Sequence, residues 1–491
     1  MSESTEYTLL ERVKGWSSSL FSAKDCLKSL AKDSLYITLY YFFTVMVSTI
    51  NIHYISLKND EAMLAGIGLA TSWVSATNHT IIFGLNVGTL ALCSQALGAG
   101  EIKLAGIYFQ RALLMRYILF IPCYALLYYA NGIFLSWGVE EAVANHATTY
   151  CRLQFFPLLC LIVFDTTKSL LIAGGIFMPF FYIQVVMAMT HWLICSISVA
   201  FFDLDFMGIT VSQTISYIVS LALLYGYVKM KEPCKGSFFW FESFELPPVF
   251  AQFTKEVPIG IMYYLQAMGF ELTVVIASQY AAAELAAQVI LWNYVTYAFL
   301  PTLAMNMVLT SAIGNCLGNK DAAKADEYRK AGFMYILMLA TIEIPLSLFF
   351  KYQILGIYTQ SEEITAVCAR GMNIYCVIMI ADFIQSTNNC ILRGCGQEKL
   401  GCILFILTSY IIGTPASYVM GTLFSLYTVG LWLGILMGTY VNIVLSGWAV
   451  YKLDFAHQAA IINQRLHNDL QGGVAEDTKK GHYIEMQDIA P

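Results

Sequence analysis

The 491-residue sequence contains few charged residues. Asp, Glu, Lys and Arg make up 12% of it, about half the usual share of a globular protein, whereas apolar residues make up 58%. So few charges cannot cover the surface of a soluble protein of this length, and the same composition excludes disordered and fibrous classes. The formal net charge of −6 also lacks the basic balance of a nucleic-acid-binding protein, so we expect no nucleic-acid partner.

Motifs of catalysis and cofactor binding are missing as well. There is no GxxxxGK[ST] segment for nucleotide phosphates, no HExxH zinc motif and no nucleophile elbow. The 13 cysteines form no CxxC pair and mostly lie in apolar stretches, which is typical of buried small side chains. We therefore expect neither an enzyme nor a bound metal or cofactor.

The sequence instead has long stretches without charge, and these predict an all-α polytopic membrane protein. A helix needs about 20 apolar residues to cross the bilayer core. The runs at 62–100 and 285–319 predict one long helix each, and the run at 400–451 predicts two spans separated near Ser425–Thr428. In all, twelve spans are predicted, near 34–57, 63–96, 105–130, 145–172, 178–202, 206–229, 256–279, 284–317, 331–357, 364–393, 399–421 and 428–451.

The distribution of basic residues predicts the orientation. If the N-terminus is cytoplasmic, 23 of the 27 Lys and Arg residues fall on the cytoplasmic side, and only Lys58, Arg152, Lys351 and Arg370 fall on the other. The positive-inside rule therefore predicts that both termini are cytoplasmic.

An internal repeat predicts two halves. At an offset of about 220 residues, Cys93–Gly98 resembles Ile313–Gly318 and Ile172–Gly174 resembles Leu392–Gly394. Six spans in each half would form two pseudo-symmetric six-helix bundles. The predicted segments are a cytoplasmic N-terminal segment (1–32), an N-terminal half (33–229), a cytoplasmic linker (230–255), a C-terminal half (256–452) and a cytoplasmic tail (453–491). The tail should form a helix over Phe455–Leu470 and be disordered beyond Gly472.

Acids inside predicted spans are the strongest functional candidates, because a charge at bilayer depth normally faces a bundle interior or an aqueous cavity. Glu271 has no basic residue within one turn, which is typical of a proton carrier, and Asp382 shares its helix with Gln385, Asn388 and Asn389. Asp165 is followed by Lys168, so a local ion pair and a functional role are both open. Glu343 precedes Pro345 and is open to a structural or a cavity role.

Several motifs resemble those of the multidrug and toxic compound extrusion (MATE) transporters, in their eukaryotic branch. Gly88–Gly100 followed by Gln110-Arg111-Ala112 resembles the second-span motif, and Phe270-Glu271 with Glu284–Gln288 resembles the seventh-span motif. The other matching segments are Gly314–Gly318, Leu392–Gln397, and Gly413 with Pro415. The motif residues that matter most are Gly88, Gln95, Gly98, Gly318, Arg393, Gly394 and Gly396.

The resemblance implies that the two six-helix bundles surround a central cavity. It also implies a secondary active antiporter that exports organic cations, xenobiotics or metabolites in exchange for H+, rather than Na+, by alternating access. Glu271 would bind the proton and Asp382 would be a second cavity acid. Further candidate cavity residues are Asn51, Gln288, Asn293, Glu343, Gln385 and Asn389. The acid that bacterial relatives carry in the first span is not matched, since Asn51 occupies the repeat position of Glu271.

Alternatives remain open at this point: a lipid-linked flippase of a related fold, or a passive channel or membrane receptor. We expect small-molecule substrates and the lipid bilayer as partners and a monomer as the assembly. The membrane would be the plasma membrane or a vacuolar or vesicular membrane.

Overall fold

The structure, a computed structural model, describes residues 3–58, 60–202, 204–239 and 246–470, with side chains from Ala23 onward except those of Ala200 and Phe270. This part of the chain is helical and contains no β-strand. It has 12 helical stretches that are long and apolar enough to cross a membrane. The all-α fold class and the predicted number of spans are confirmed.

The α-helices are numbered in chain order. The first nine are α1 (Glu3–Ser56), α2 (Glu61–Val74), α3 (Thr80–Gly98), α4 (Ile102–Tyr128), α5 (Ala130–Ser136), α6 (Glu141–Leu153), α7 (Phe155–Ala173), α8 (Met178–Cys195) and α9 (Asp205–Lys231). The remaining ten are α10 (Leu246–Ala277), α11 (Ala282–Ala298), α12 (Leu300–Gly318), α13 (Ala322–Phe349), α14 (Lys351–Tyr358), α15 (Glu362–Gly394), α16 (Glu398–Phe405), α17 (Thr414–Tyr418), α18 (Tyr427–Lys452) and α19 (Phe455–Leu470). π-Helical turns extend several of them, at Ser75–His79, Ser196–Phe201, Ile406–Gly413 and Val419–Leu423.

Proline residues interrupt two helices that the sequence predicted to be continuous. The predicted helix over 285–319 is divided at Phe299 into α11 and α12, so that prediction is wrong. Pro301 has no N–H to offer the carbonyl of Tyr297, and its ring crowds that carbonyl. The predicted span 145–172 is likewise divided at Gln154, close to Pro157, and only α7 is long enough to span.

Contacts group the described residues into two compact units. The N-terminal unit contains Leu39–Met268, Gln397–Cys402 and residues from Ile461 onward. Within it α3 packs against α4 and α7, α7 packs against α4 and α9, and α8 packs against α9. Its apolar core includes Ile67, Phe134, Ile162 and Ile209.

The C-terminal unit contains Gly269–Gly396 and Ile403–Ala460, together with residues up to Thr38. Its central helix is α15, which packs against α11, α12, α13, α14 and α18. Because the two units divide α10 after Met268, they do not test the predicted halves 33–229 and 256–452, whose bounds stay predictions.

The ends of the chain are described in part. The helix predicted over Phe455–Leu470 is confirmed as α19, and it buries Phe455, Ala459, Ile462 and Leu466 on one side. Because α1 begins at Glu3, the first span continues a helix that covers most of the predicted segment 1–32. The predicted disorder beyond Gly472 lies outside the described residues.

Three glycines of α18 allow it to lie against the chain segment that precedes it. Gly430, Gly434 and Gly438 recur every four residues and therefore share one face. A Cβ at Gly438 would lie 2.7 Å from the carbonyl oxygen of Thr408 and 2.8 Å from Cα of Gly413, and one at Gly434 would overlap the backbone of Ser417. Helix packing in lipid depends on such close approach, because no hydrophobic effect drives it.

We expect Gly434→Ala to destabilise the protein by about 1–3 kcal/mol, because the added methyl group has no space beside Ser417. The measurement is thermal unfolding in detergent. The matched control is Gly226→Ala in α9, where a Cβ meets nothing within 4 Å and should be tolerated. Equal melting temperatures for the two variants would contradict the close packing.

Candidate functional site

Asp165, the acid of the fourth span, is neutralised by its neighbour. Its Oδ1 lies 2.6 Å from Nζ of Lys168 on the same helix, α7. The Lys168 ammonium also donates to the hydroxyl of Tyr40 at 2.9 Å and lies 4.5 Å from the centroid of its ring. The local ion pair indicated by the spacing is confirmed, and it gives Asp165 a structural role.

The other three acids lie in the C-terminal unit. Glu271 is exposed on α10, and Asp382 on α15 and Glu343 on α13 are partly buried. Oε2 of Glu343 is buried and has no hydrogen-bond partner among the described residues. Within the same residues, none of these carboxyl groups forms an ion pair with a basic side chain.

A buried aromatic cluster accompanies these acids. The ring of Tyr375 on α15 makes edge contacts with Tyr294 on α11 and with Trp432 on α18, at centroid distances of 5.9 and 5.7 Å. Tyr375 lies within electrostatic reach of Asp382 and Glu343. The cluster therefore combines large flat surfaces with uncompensated carboxyl groups in one unit.

The predicted polar residues of this unit have different surroundings. Gln288 on α11 donates to the hydroxyl of Thr273 at 2.8 Å. Thr273 lies two residues after Glu271 on α10. Asn293 is exposed and donates to the carbonyl of Val289 on its own helix. Gln385 and Asn389 are buried, and their side-chain oxygens have no hydrogen-bond partner in the described part of the chain.

Asn51 lies in the N-terminal unit. Its side-chain oxygen is 2.7 Å from Nε2 of His191 on α8, and both residues are buried. The sulfur of Cys195 lies 3.5 Å from the same ring nitrogen. The repeat position of Glu271 thus carries a neutral amide paired with an imidazole.

The motif residues mainly serve packing and turns. A Cβ at Gly88 would lie 3.0 Å from Cβ of Glu256, and one at Gly394 would lie 2.9 Å from Ile313. Gly396 has a φ of +75°, which favours glycine in the turn after α15. Gln95 accepts a hydrogen bond from Arg465 of α19. The remaining motif residues are Gly98 and Gly318, which end α3 and α12, and Arg393, which is buried.

A fully buried ion pair was not predicted from the sequence. Nη1 of Arg116 on α4 lies 2.6 Å from Oε2 of Glu256 on α10, and both side chains are almost completely inaccessible. The basic-residue count places Arg116 on the cytoplasmic side, and the predicted span 256–279 places Glu256 at its first position. The structure starts α10 at Leu246, so Glu256 lies well inside the helix.

Neighbouring polar groups satisfy this ion pair. Oε1 of Glu256 accepts from the hydroxyl of Thr89 and from Nε2 of Gln252, each at 2.9 Å. The Arg116 guanidinium donates to the hydroxyl of Thr89 at 2.7 Å and to Oδ1 of Asn86 at 3.2 Å. Both charges are therefore paired and hydrogen-bonded, so the pair fits a structural role. In the sequence, the only indication of this site was the pair of polar residues Asn86 and Thr89 beside Gly88 on α3.

A model of the MatE family matches two stretches of the chain, residues 36–197 and 258–419. The chain belongs to this family. The two matches begin 222 residues apart, at residues 36 and 258, which agrees with the repeat offset of about 220 residues. The internal repeat and the resemblance to MATE transporters are confirmed.

Eukaryotic MatE relatives cover most of the chain at low identity. Multidrug and toxin extrusion protein 1 of Danio rerio is 25% identical over 401 residues, which are 81% of this chain and 68% of the relative. Protein DETOXIFICATION 16 of Arabidopsis thaliana is 24% identical over 409 residues, which are 82% of this chain and 84% of the relative. The expected eukaryotic branch is confirmed.

Solved MATE structures share the fold. The eukaryotic MATE transporter AtDTX14 superimposes with a TM-score of 0.82 at 19% identity, over 91% of this chain and 100% of that one. The Vibrio cholerae transporter VcmN in its bent form gives 0.78 at 18% identity, over 90% and 99%. MatE proteins are membrane transporters of small molecules. The chain is therefore a multi-pass transporter and not an enzyme, and the channel and receptor alternatives fall away.

We expect Glu256→Gln to destabilise the N-terminal unit by about 3–5 kcal/mol, because it leaves the Arg116 charge buried without a partner. Thermal unfolding in detergent measures this effect. The double variant Glu256→Gln with Arg116→Gln removes both charges and should recover much of the loss. Glu232→Gln, which breaks an exposed ion pair with Lys235, is the matched control and should change stability by less than about 1 kcal/mol. A stable single variant would contradict the buried ion pair.

Proposed function

We propose that the protein is a secondary active antiporter that exports organic cations, xenobiotics or metabolites in exchange for protons by alternating access. Glu271 binds the coupling proton and Asp382 is a second acid of the binding site. H+ is the coupling ion, and no further cofactor takes part. Protonation of Glu271 weakens cation binding and favours release, whereas deprotonation favours recapture from the cytoplasm.

The observation that carries this proposal is that the C-terminal unit holds three intramembrane carboxyl groups without a basic partner among the described residues, at Glu271, Glu343 and Asp382. The N-terminal unit instead pairs its acids Asp165 and Glu256 with bases. An unpaired acid in a low-dielectric environment exchanges protons more readily near neutral pH than one held by a counter-ion. The relatives' names as multidrug and toxin extrusion proteins agree with an export function.

The aromatic cluster supports flat cations as substrates. Tyr294, Tyr375 and Trp432 offer ring faces and edges in the unit that holds the uncompensated acids. A cation over such a ring gains about 0.5–2 kcal/mol, and an adjacent carboxylate adds charge attraction.

Orientation, location and assembly complete the proposal. The distribution of 23 of the 27 basic residues supports cytoplasmic termini. The protein acts as a monomer in the plasma membrane or in a vacuolar or vesicular membrane.

We expect Glu271→Gln to abolish proton-driven efflux, because the amide mimics a permanently protonated acid. The fold should persist, since a neutral amide at an exposed site of α10 costs little. Glu271→Asp retains the carboxyl group on a shorter arm and should keep partial activity. The measurement is substrate efflux and proton movement in proteoliposomes with imposed pH or Na+ gradients, at matched protein levels.

The control for this experiment is Glu362→Gln, which neutralises an exposed acid in the first turn of α15, outside the region of the candidate acids. It should transport like the wild type. Proton movement at a wild-type rate in Glu271→Gln would place the coupling elsewhere, and efflux driven by Na+ alone would overturn H+ as the coupling ion.

We expect Asp382→Asn to weaken transport of cations by about tenfold or more and to affect neutral substrates less, because only cations lose a charge attraction. Concentration-dependent uptake into inverted proteoliposomes measures both substrate classes. Equal losses for cationic and neutral substrates would assign Asp382 a structural role instead.

A further inference from the structure

Helices α11 and α12 run alongside α15 with a constant register. Asn306 on α12 donates to the hydroxyl of Ser386 at 2.5 Å, and Thr310 donates to the carbonyl of Cys390 at 3.4 Å. Both pairs are 80 residues apart, and both sequence numbers increase together, so the helices are parallel here. The same register, within one residue, is found at both ends of the pair of helices, at Ala287 with Cys368, Leu291 with Gly371, and Ile313 with Gly394.

The same spacing of 80 residues relates Thr302 on α12 to Asp382 on α15. Thr302, Asn306 and Thr310 recur every four residues and share one face of α12, and Asp382, Ser386 and Cys390 do the same on α15. Two steps of this ladder are joined by the hydrogen bonds of Asn306 and Thr310. Thr302 and Asp382 occupy the next positions on the two faces, and no hydrogen bond joins them among the described residues.

The hydroxyl of Thr302 is an unused donor. The residue is fully buried, and its Oγ1 has no hydrogen-bond partner among the residues that the structure describes. Threonines in other spans donate to the carbonyl one turn earlier, as Thr387 does to Phe383 at 2.8 Å. Thr302 lies at the start of α12, just after the break at Phe299, where that bond is not formed. A buried hydroxyl without a partner is unusual. The residue at the corresponding position on α15 is the acid Asp382.

The elements packed against α15 offer Asp382 no counter-ion. α12 carries no charged residue, and α18 carries none before Lys452. Tyr375 on the same helix interacts electrostatically with Asp382, and also with Tyr294 on α11, Glu343 on α13 and Cys376. The basic side chains of Arg329 and Lys330 on α13 are paired with Asp326. Lys351 of α14 donates to Asn373, more than two turns away from Asp382 along α15. An ionised Asp382 therefore depends on neutral hydrogen-bond donors.

The geometry points to Thr302 as the positioning residue that sets the proton affinity of Asp382. When Asp382 is ionised, the hydroxyl of Thr302 rotates to donate to the carboxylate. When Asp382 takes up a proton, the hydroxyl no longer donates to it. The inference rests on the proposed function only in assigning the Asp382 proton a role in transport. The effect of Thr302 on the protonation of Asp382 depends on the two helices alone.

The test is an infrared titration of the purified full-length protein in lipid membranes, which follows the carbonyl band of protonated carboxyl groups against pH. The component of Asp382 is assigned by its loss in Asp382→Asn. Thr302→Val replaces the hydroxyl by a methyl group of similar size, and Thr302→Ser retains the hydroxyl. Thr310→Val is the matched control, because it removes a buried hydroxyl from the same face of α12 two turns away.

We expect Thr302→Val to shift the midpoint of the Asp382 band upward by about one to two pH units, because the ionised form loses a donor. Thr302→Ser should restore the wild-type midpoint, and Thr310→Val should leave it unchanged. The pH profile of transport should move in the same direction. An unshifted midpoint in Thr302→Val, an equal shift in Thr310→Val, a failure of serine to restore the midpoint, or the absence of a titrating Asp382 band would each overturn the inference.

The infrared measurement needs no substrate movement, so it separates this inference from the proposed antiport. Wild-type protein that moves no protons against substrate, while the Asp382 band still responds to Thr302→Val, would overturn the antiport and support the positioning role. Proton-coupled transport together with an Asp382 midpoint that is the same in Thr302→Val and the wild type would support the antiport and overturn the positioning role.

Discussion

The free-energy cost of a charge in the bilayer core governs the arrangement of polar groups in this protein. In the N-terminal unit the cost is offset locally. Asp165 is paired with Lys168, and Glu256 is held by Arg116, Thr89 and Gln252. In the C-terminal unit Glu271, Glu343 and Asp382 have no such base among the described residues. Acids without a basic partner at this depth are the groups on which the proposed proton coupling rests.

The same constraint shapes the backbone. Lipid offers no hydrogen bonds, so helical stretches fill the spans, and where Pro301 prevents a regular turn α11 ends before Phe299 and α12 starts again at once. Just after this break, the hydroxyl of Thr302 has no hydrogen-bond partner among the described residues. Close helix contacts then depend on small residues, as at Gly434 and Gly438 of α18.

The repeat shows how two related halves have diverged. The family model matches both stretches at an offset of 222 residues, 36–197 and 258–419, so the two halves share an ancestry in sequence. Yet Asn51, at the repeat position of Glu271, is an amide whose oxygen lies 2.7 Å from Nε2 of His191. An amide at this position adds no charge to a buried site, whereas the corresponding position of the other half carries the acid Glu271.

The sequence by itself determined the class, the twelve spans, the repeat and the family, because hydrophobic length and charge-free runs follow directly from the thickness of the bilayer. It also located Glu271, Glu343 and Asp382, since an acid within an apolar run is visible in one dimension. The pairing of Arg116 with Glu256, 140 residues apart, was decided only by the tertiary structure. The tertiary structure also decided which buried polar atoms have no hydrogen-bond partner among the described residues. They include the hydroxyl of Thr302 and the side-chain oxygens of Gln385 and Asn389. These features depend on which helix faces lie against each other, and side-chain partners across helices leave no periodic signal in a single sequence.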